Sequence, residues 1–145
     1  MSKKYRNEMH RINYLTSELE SLYHQASIKF GICDSESIVL YSLLDAETDC
    51  LLSDIYKYSG VSKQTINSAI RKLESKEMIR LIPINGKSKL VSFTEKGRAF
   101  ADKTVARLID AELDAFEDWT EDEMKAHLNS MERYLEAFRK KIEEL

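Results

Sequence analysis

The sequence predicts a mainly α chain with one small β-hairpin, and three observations carry that prediction. Only one Pro and four Gly punctuate 145 residues, which favours long uninterrupted helices over many short strands. Apolar residues recur at helical spacing near both ends of the chain. Asn85-Gly86, set between two short β-like runs, is a strong hairpin signal.

Ile12, Leu15, Leu19, Leu22 and Ala26 follow spacings of 3, 4, 3 and 4, which places them on one helical stripe. The stretch "DSESIVLYSLL" (34–44) reads as a short helix, capped by Asp34 or Ser35, with Ile38, Tyr41 and Leu44 facing inward. "LLSDIYKYSG" ends on Gly60, well placed as a left-handed residue closing a helix. Ser62 can cap the next helix, from Lys63 to about Lys76. Two strands follow, "MIRLIPI" and "KLVSF", joined at Asn85-Gly86, where both turn positions call for positive φ. Pro83 has no N–H, so the first strand belongs at a sheet edge.

Thr94 caps a further helix across 95–118, with Phe100, Leu108, Ile109, Leu113 and Phe116 as its apolar positions. Thr120, followed by Glu121, Asp122 and Glu123, supplies the cap and acidic first turn of the last helix. Along that helix Met124, Leu128, Met131, Leu135, Phe138, Ile142 and Leu145 keep spacings of 4, 3, 4, 3, 4 and 3. This is an a/d seam of about three heptads, the pattern of a helix packed along a partner helix. Helix, turn, helix, hairpin is a winged helix-turn-helix core, here flanked by long N- and C-terminal helices.

Charge is distributed unevenly. Residues 60–98 hold nine Lys and Arg against three Glu, a net of +6, although the whole chain carries a formal net charge of −3. Residues 99–145 hold thirteen acids against seven bases, and residues 1–59 nine acids against six bases. A basic middle between acidic ends directs the positive surface at one partner. Within it, "GVSKQTINSAIRKL" (60–73) contains no acid. At ~100° per residue, Ile66, Ile70 and Leu73 form a buried stripe, and Gln64, Asn67, Ser68 and Arg71 cluster on the other side.

These are groups that read DNA base edges: Asn and Gln pair with adenine, Arg with guanine, Ser with either. Lys63 and Lys72 at the margins, with Ser62 and Thr65 at the helix start, suit the phosphate backbone, as do Lys87 and Lys89 flanking the hairpin tip. Arg80 lies on the facing strand. The expected partner is double-stranded DNA, with Gln64, Asn67, Ser68 and Arg71 as the base readers.

The core resembles that of MarR-family transcriptional regulators. "SKQTINSAIRKLE", the "IR" opening the wing and the "FTEKG" closing it carry the resemblance, and the order of helices extends it over essentially the whole chain. It implies a homodimer formed by the terminal helices on pseudo-palindromic operator DNA, with release by a small anionic or phenolic ligand or by thiol oxidation. The chain then divides into 1–33, an N-terminal helix contributing to dimerisation; 34–98, the DNA-binding core; and 99–145, the C-terminal dimerisation helices. Ile12, Leu15 and Leu19, with Met124, Leu128, Met131, Leu135, Phe138 and Ile142, are the expected dimer contacts. An intramolecular helical pair in a monomer is the competing outcome.

A family-type pocket for an anionic or aromatic effector would draw on Tyr14, Tyr23, Phe30, Phe116 and Trp119, residues that more often simply pack a core. Three departures from the family pattern stand out. Asn85, Gly86 and Lys87 replace the usual Asp-x-Arg of the wing, Glu77 stands where a Gly commonly follows the recognition helix, and Tyr56 is bulky where a small residue is usual.

No Gly-rich phosphate loop, H-E-x-x-H or local nucleophile signature is present, and His10, His24 and His127 are scattered, so neither an enzyme nor a cofactor or metal is expected. No apolar run approaches the ~20 residues that span a bilayer, and the start of the chain lacks a secretory apolar region, which makes the cytoplasm the expected compartment. Cys33 and Cys50 lie in no metal-ligand spacing and read as reduced, partly buried thiols. Two other readings stay open: a winged-helix module for protein contacts, and a redox-sensing regulator acting through Cys33.

Overall fold

A computed structural model describes residues 3–145 of the chain. The chain divides into two units, Met1–Ile109 and Asp110–Leu145. Helix α1 (Arg6–Phe30) ends on Gly31, whose φ of 72° is left-handed. The N–H groups of Gly31 and Ile32 return to the carbonyls of Ile28 and Ser27, satisfying the helix end.

Cys33, not Asp34 or Ser35, then caps α2 (Asp34–Asp45). The cap falls one residue earlier because the Cys33 N–H donates to Glu36 Oε1 at 3.2 Å, the return contact of a capping box. The inward side of α2 also differs from the expected stripe. Val39, Leu40 and Leu43 are buried, while Ile38, Tyr41 and Leu44 pack half-buried at the margin. Neighbours on several sides explain the wider arc, since α2 packs against α1 and against the helices that follow it.

A short strand, β1 (Cys50–Leu51), leads into α3 (Leu52–Ser59), which closes on left-handed Gly60. Two residues are too few to show a strand's alternation, so β1 is visible only through its pairing with the wing. Helix α4 (Lys63–Ser75) is capped by Ser62, whose Oγ accepts the Thr65 N–H at 3.1 Å. Ile66, Ala69, Ile70 and Leu73 are buried, which matches the expected apolar stripe and adds one residue to it. They share a core with Leu40, Leu43, Ile55, Ile79, Val91 and Val105.

The end of α4 is formed without glycine. Glu77 takes a φ of 59°, its N–H returns to the Glu74 carbonyl, and the Met78 N–H reaches the Leu73 carbonyl at 2.9 Å. These are the two bonds of a Schellman motif.

The wing is β2 (Ile79–Asn85) and β3 (Ser88–Phe93), antiparallel. Sheet order is β1-β3-β2, so β2 is an edge strand, as Pro83 requires. The turn sits one residue later than expected. Asn85 still pairs with Ser88, a ladder irregularity falls between Pro83 and Asn85, and Gly86 alone of the expected turn pair has positive φ, 50°.

Helix α5 (Glu95–Lys103) starts where Thr94 Oγ1 accepts the Gly97 N–H at 3.0 Å. Gly97 has no alternative, since a Cβ there would lie 1.7 Å from the Met78 carbonyl oxygen. The single helix expected over 95–118 is in fact two. Thr104 departs from helical geometry (φ −125°, ψ −85°) while its hydroxyl donates back to the Phe100 carbonyl at 2.7 Å. The chain then resumes as α6 (Val105–Ala115) with Val105 buried.

In the second unit, α7 (Glu121–Glu143) is capped by Thr120, whose Oγ1 accepts the Glu123 N–H at 3.1 Å. Met124 is half-buried. Beyond it the seam lies open, with Leu128 54%, Met131 58%, Leu135 55%, Phe138 50% and Ile142 51% exposed. The stripe on α1 is open too, with Ile12 at 60% and Leu19 at 57%. Among the described residues, no helix is long and apolar enough to cross a membrane.

Candidate nucleic-acid interface

The face of α4 opposite its buried stripe carries the residues expected to contact DNA. Lys63, Gln64, Thr65, Arg71 and Lys72 are exposed, and Asn67 and Ser68 are half-buried. The first turn contains no acid, so the positive end of the helix dipole and its free N–H groups favour an anionic partner. Ser62 and Thr65 share a hydrogen bond of 2.9 Å between their hydroxyls at this end.

A groove of about 550 Å³ lies between α3, α4 and the hairpin. Asn67 and Arg71 from α4 and Lys87 and Lys89 from the wing line it, together with Tyr56 and the apolar Leu52, Ile70 and Leu81. Glu74 is the one acid in the lining, so three cations leave the groove positive. The structure therefore gathers four of the expected contact residues around one groove. Ser62, Lys63, Gln64, Thr65, Ser68 and Lys72 fall outside its lining, on or beside the outer surface of α4.

Two residues outside the expected contact set bear on α4, one at the groove and one at the helix end. The Tyr56 hydroxyl donates to Asn67 Oδ1, and the Lys63 ammonium lies 5.5 Å from the centroid of the Tyr56 ring, within cation–π range. The bulk of Tyr56 was legible, but it stands eleven positions before Asn67 across two helices and a turn, so no periodicity links them. The second is Glu36, buried in α2, whose Oε2 accepts from Lys76 Nζ at 2.6 Å. Lys76 is the C-cap of α4, so this pair ties the last turn of α4 to α2. Burial works to raise the Glu36 pKa. Hydrogen bonds from Lys76 and from the Cys33 side chain and backbone, with the Lys76 charge, outweigh it and hold the carboxyl below the ordinary glutamate value of 4.5.

Both cysteines are free and half-buried. Cys33 Sγ lies 3.3 Å from Ser35 Oγ at the start of α2. Cys50 Sγ donates to the Ser42 carbonyl at 3.4 Å; burial first, then the carboxylates of Asp54, Asp49 and Asp45, push its thiol pKa up, away from thiolate reactivity. Of the aromatics expected to serve an effector, Tyr14 and Tyr23 are exposed on α1, and Phe30 packs against the first unit's core. Phe116 and Trp119 meet edge to face at 4.9 Å in the second unit. Among the described residues, no group of three or more His, Cys, Asp or Glu could hold a metal ion.

No protein-family model matches the sequence, and no curated protein matches it. Solved structures do match. A MarR family regulator from Neisseria meningitidis superposes with a TM-score of 0.80 over 99% of both chains at 18% identity. AbsC, a MarR family transcriptional regulator from Streptomyces coelicolor, gives 0.78 over 96% of this chain and 97% of its own, at 15% identity. S. aureus MepR, in a complex with DNA, gives 0.67 over 87% of this chain and 96% of its own, at 21% identity. The chain has the winged-helix fold of MarR family regulators over its whole length.

Proposed function

We propose that this chain is a sequence-specific DNA-binding transcriptional regulator that acts as a homodimer on a pseudo-palindromic operator. The observation that carries the reading is the α4 face. Its apolar side is closed inside the core, and its outer side offers amide, hydroxyl, guanidinium and ammonium groups without an acid until Glu74. A face kept only for solubility would mix in Asp or Glu. That MepR, of the same fold, was solved with DNA supports the same reading.

In this reading α4 enters the major groove from its N-terminal end. Arg71 donates bidentately to a guanine, Gln64, Asn67 and Ser68 meet neighbouring base edges, and Lys63, Lys72, Lys87 and Lys89 hold phosphates. The wing follows the adjacent minor groove. The exposed stripes of α1 and α7 close against a second copy, because rows of half-exposed Leu, Ile and Phe at heptad spacing are costly to leave in water. Two α4 helices then meet half-sites about one helical turn apart. A dimer seated on a promoter blocks transcription, and a small anionic or aromatic ligand that changes the dimer's geometry releases it.

The test is selection of source-genome fragments by the purified protein. A short inverted repeat is the expected product. Failure to enrich any fragment, with weak binding to every duplex at low salt, would leave the basic face to a protein partner.

A further inference from the structure

Tyr56 stands on α3 against the reading helix, and its hydroxyl donates to the carbonyl oxygen of Asn67. Both side chains are half-buried. An asparagine that reads adenine uses both ends of its amide: the carbonyl accepts from N6 while the NH₂ donates to N7. A donor to an sp² oxygen lies near the plane of the amide. The phenol therefore occupies one lone pair and also fixes the amide plane towards α3. The Lys63 ammonium over the ring helps to hold the phenol there. What remains on Asn67 is one carbonyl lone pair and both N–H donors, so its acceptor capacity is halved while its donor capacity is whole. Gln64, one turn earlier and exposed, carries the other amide of this face.

We propose, on the basis of the DNA-binding reading above, that Tyr56 sets the base specificity of Asn67. It biases a bidentate adenine reader towards donation to an acceptor edge, guanine O6 or thymine O4. Gln64 is then the amide that reads adenine, and the two amides of one helix face read different edges. Tyr56 is a positioning residue in this scheme, since it acts on DNA through Asn67.

The experiment is selection from a random duplex pool by the wild type, Tyr56→Phe, Asn67→Ala and Gln64→Ala proteins. Tyr56→Phe keeps the ring, its packing and the Lys63 contact, and an unchanged unfolding midpoint confirms its fold. The wild type should prefer guanine or thymine at one position, and Asn67→Ala should lose that preference. Tyr56→Phe should gain adenine at the same position by roughly three- to tenfold, the worth of one hydrogen bond. Positions governed by Gln64 and the salt dependence of binding should not move. A Tyr56→Phe base profile identical to the wild type, or one changed only where Asn67→Ala has no effect, would overturn the proposal. A wild-type protein that enriches no sequence at all would overturn the DNA-binding reading and this inference with it.

Discussion

Helices α4 and α7 are both amphipathic, and they leave opposite faces over. In α4 the apolar residues Ile66, Ala69 and Leu73 are completely buried by the chain itself, and the polar face is open. In α7 the apolar residues Leu128, Leu135 and Ile142 remain half-exposed. Helical periodicity alone does not distinguish the two cases. Burial does: the surplus of α4 is hydrogen-bonding groups, whereas the surplus of α7 is hydrophobic area.

The largest test of this contrast pairs two truncations. Leu73→Ala opens a cavity in the closed core and should cost ~2–5 kcal/mol in urea unfolding, whatever the protein concentration. Leu135→Ala should instead destabilise more as the protein is diluted, because it weakens association. An unfolding midpoint for Leu135→Ala that ignores concentration would break the comparison. On the outer side of α4 the expectation reverses. Arg71→Ala should leave unfolding unchanged and cost ~1–3 kcal/mol of affinity for a selected site. Unchanged site affinity would remove Arg71 from base reading.

Two smaller effects concern how α4 is fixed at its C-terminus. Lys76→Met leaves the buried Glu36 carboxylate without its ammonium partner, and at pH 7 should cost ~1–2 kcal/mol, discounted because Lys76 is itself 41% exposed. Because the Glu36 pKa is depressed in the folded state, its contribution is present above the ordinary value of 4.5 and lost as pH falls through the folded value. The gap between wild type and Lys76→Met should therefore close on acidification towards pH 3; a gap that widens would contradict the pairing. Glu77→Gly relieves a left-handed non-glycine residue and should stabilise by about 0.5–1 kcal/mol in the same unfolding assay. A loss of stability would mean that the Glu77 side chain contributes something the backbone geometry does not show.

Much of the fold was legible because it is written in short-range signals. Ser62, Thr94 and Thr120 act as caps, Gly60 closes α3, and the spacing from Met124 to Ile142 marks α7. What escaped depends on distance in sequence. The two-residue β1 exists only through its pairing with Val91 and Leu90. The break at Thr104 is the local exception: its hydroxyl returns to a carbonyl four residues back, as those of Thr16 and Ser42 do inside unbroken helices, so that contact does not mark the break in the sequence. The candidate site divides in the same way. The face of α4 follows from its helical period, but Tyr56–Asn67 and Glu36–Lys76 join residues on different helices, where no local pattern exists. The Gly of "FTEKG" was legible as a motif, and the Met78 carbonyl against it supplies the physical reason.

The measurement that tests the central claim most directly is the stoichiometry and salt dependence of binding to a selected inverted-repeat duplex. The account predicts two chains per duplex. If Lys63, Lys72, Lys87 and Lys89 of both chains hold phosphates, log affinity should fall against log salt with a slope of roughly −7. One chain per duplex, or binding that barely responds to salt, would contradict it.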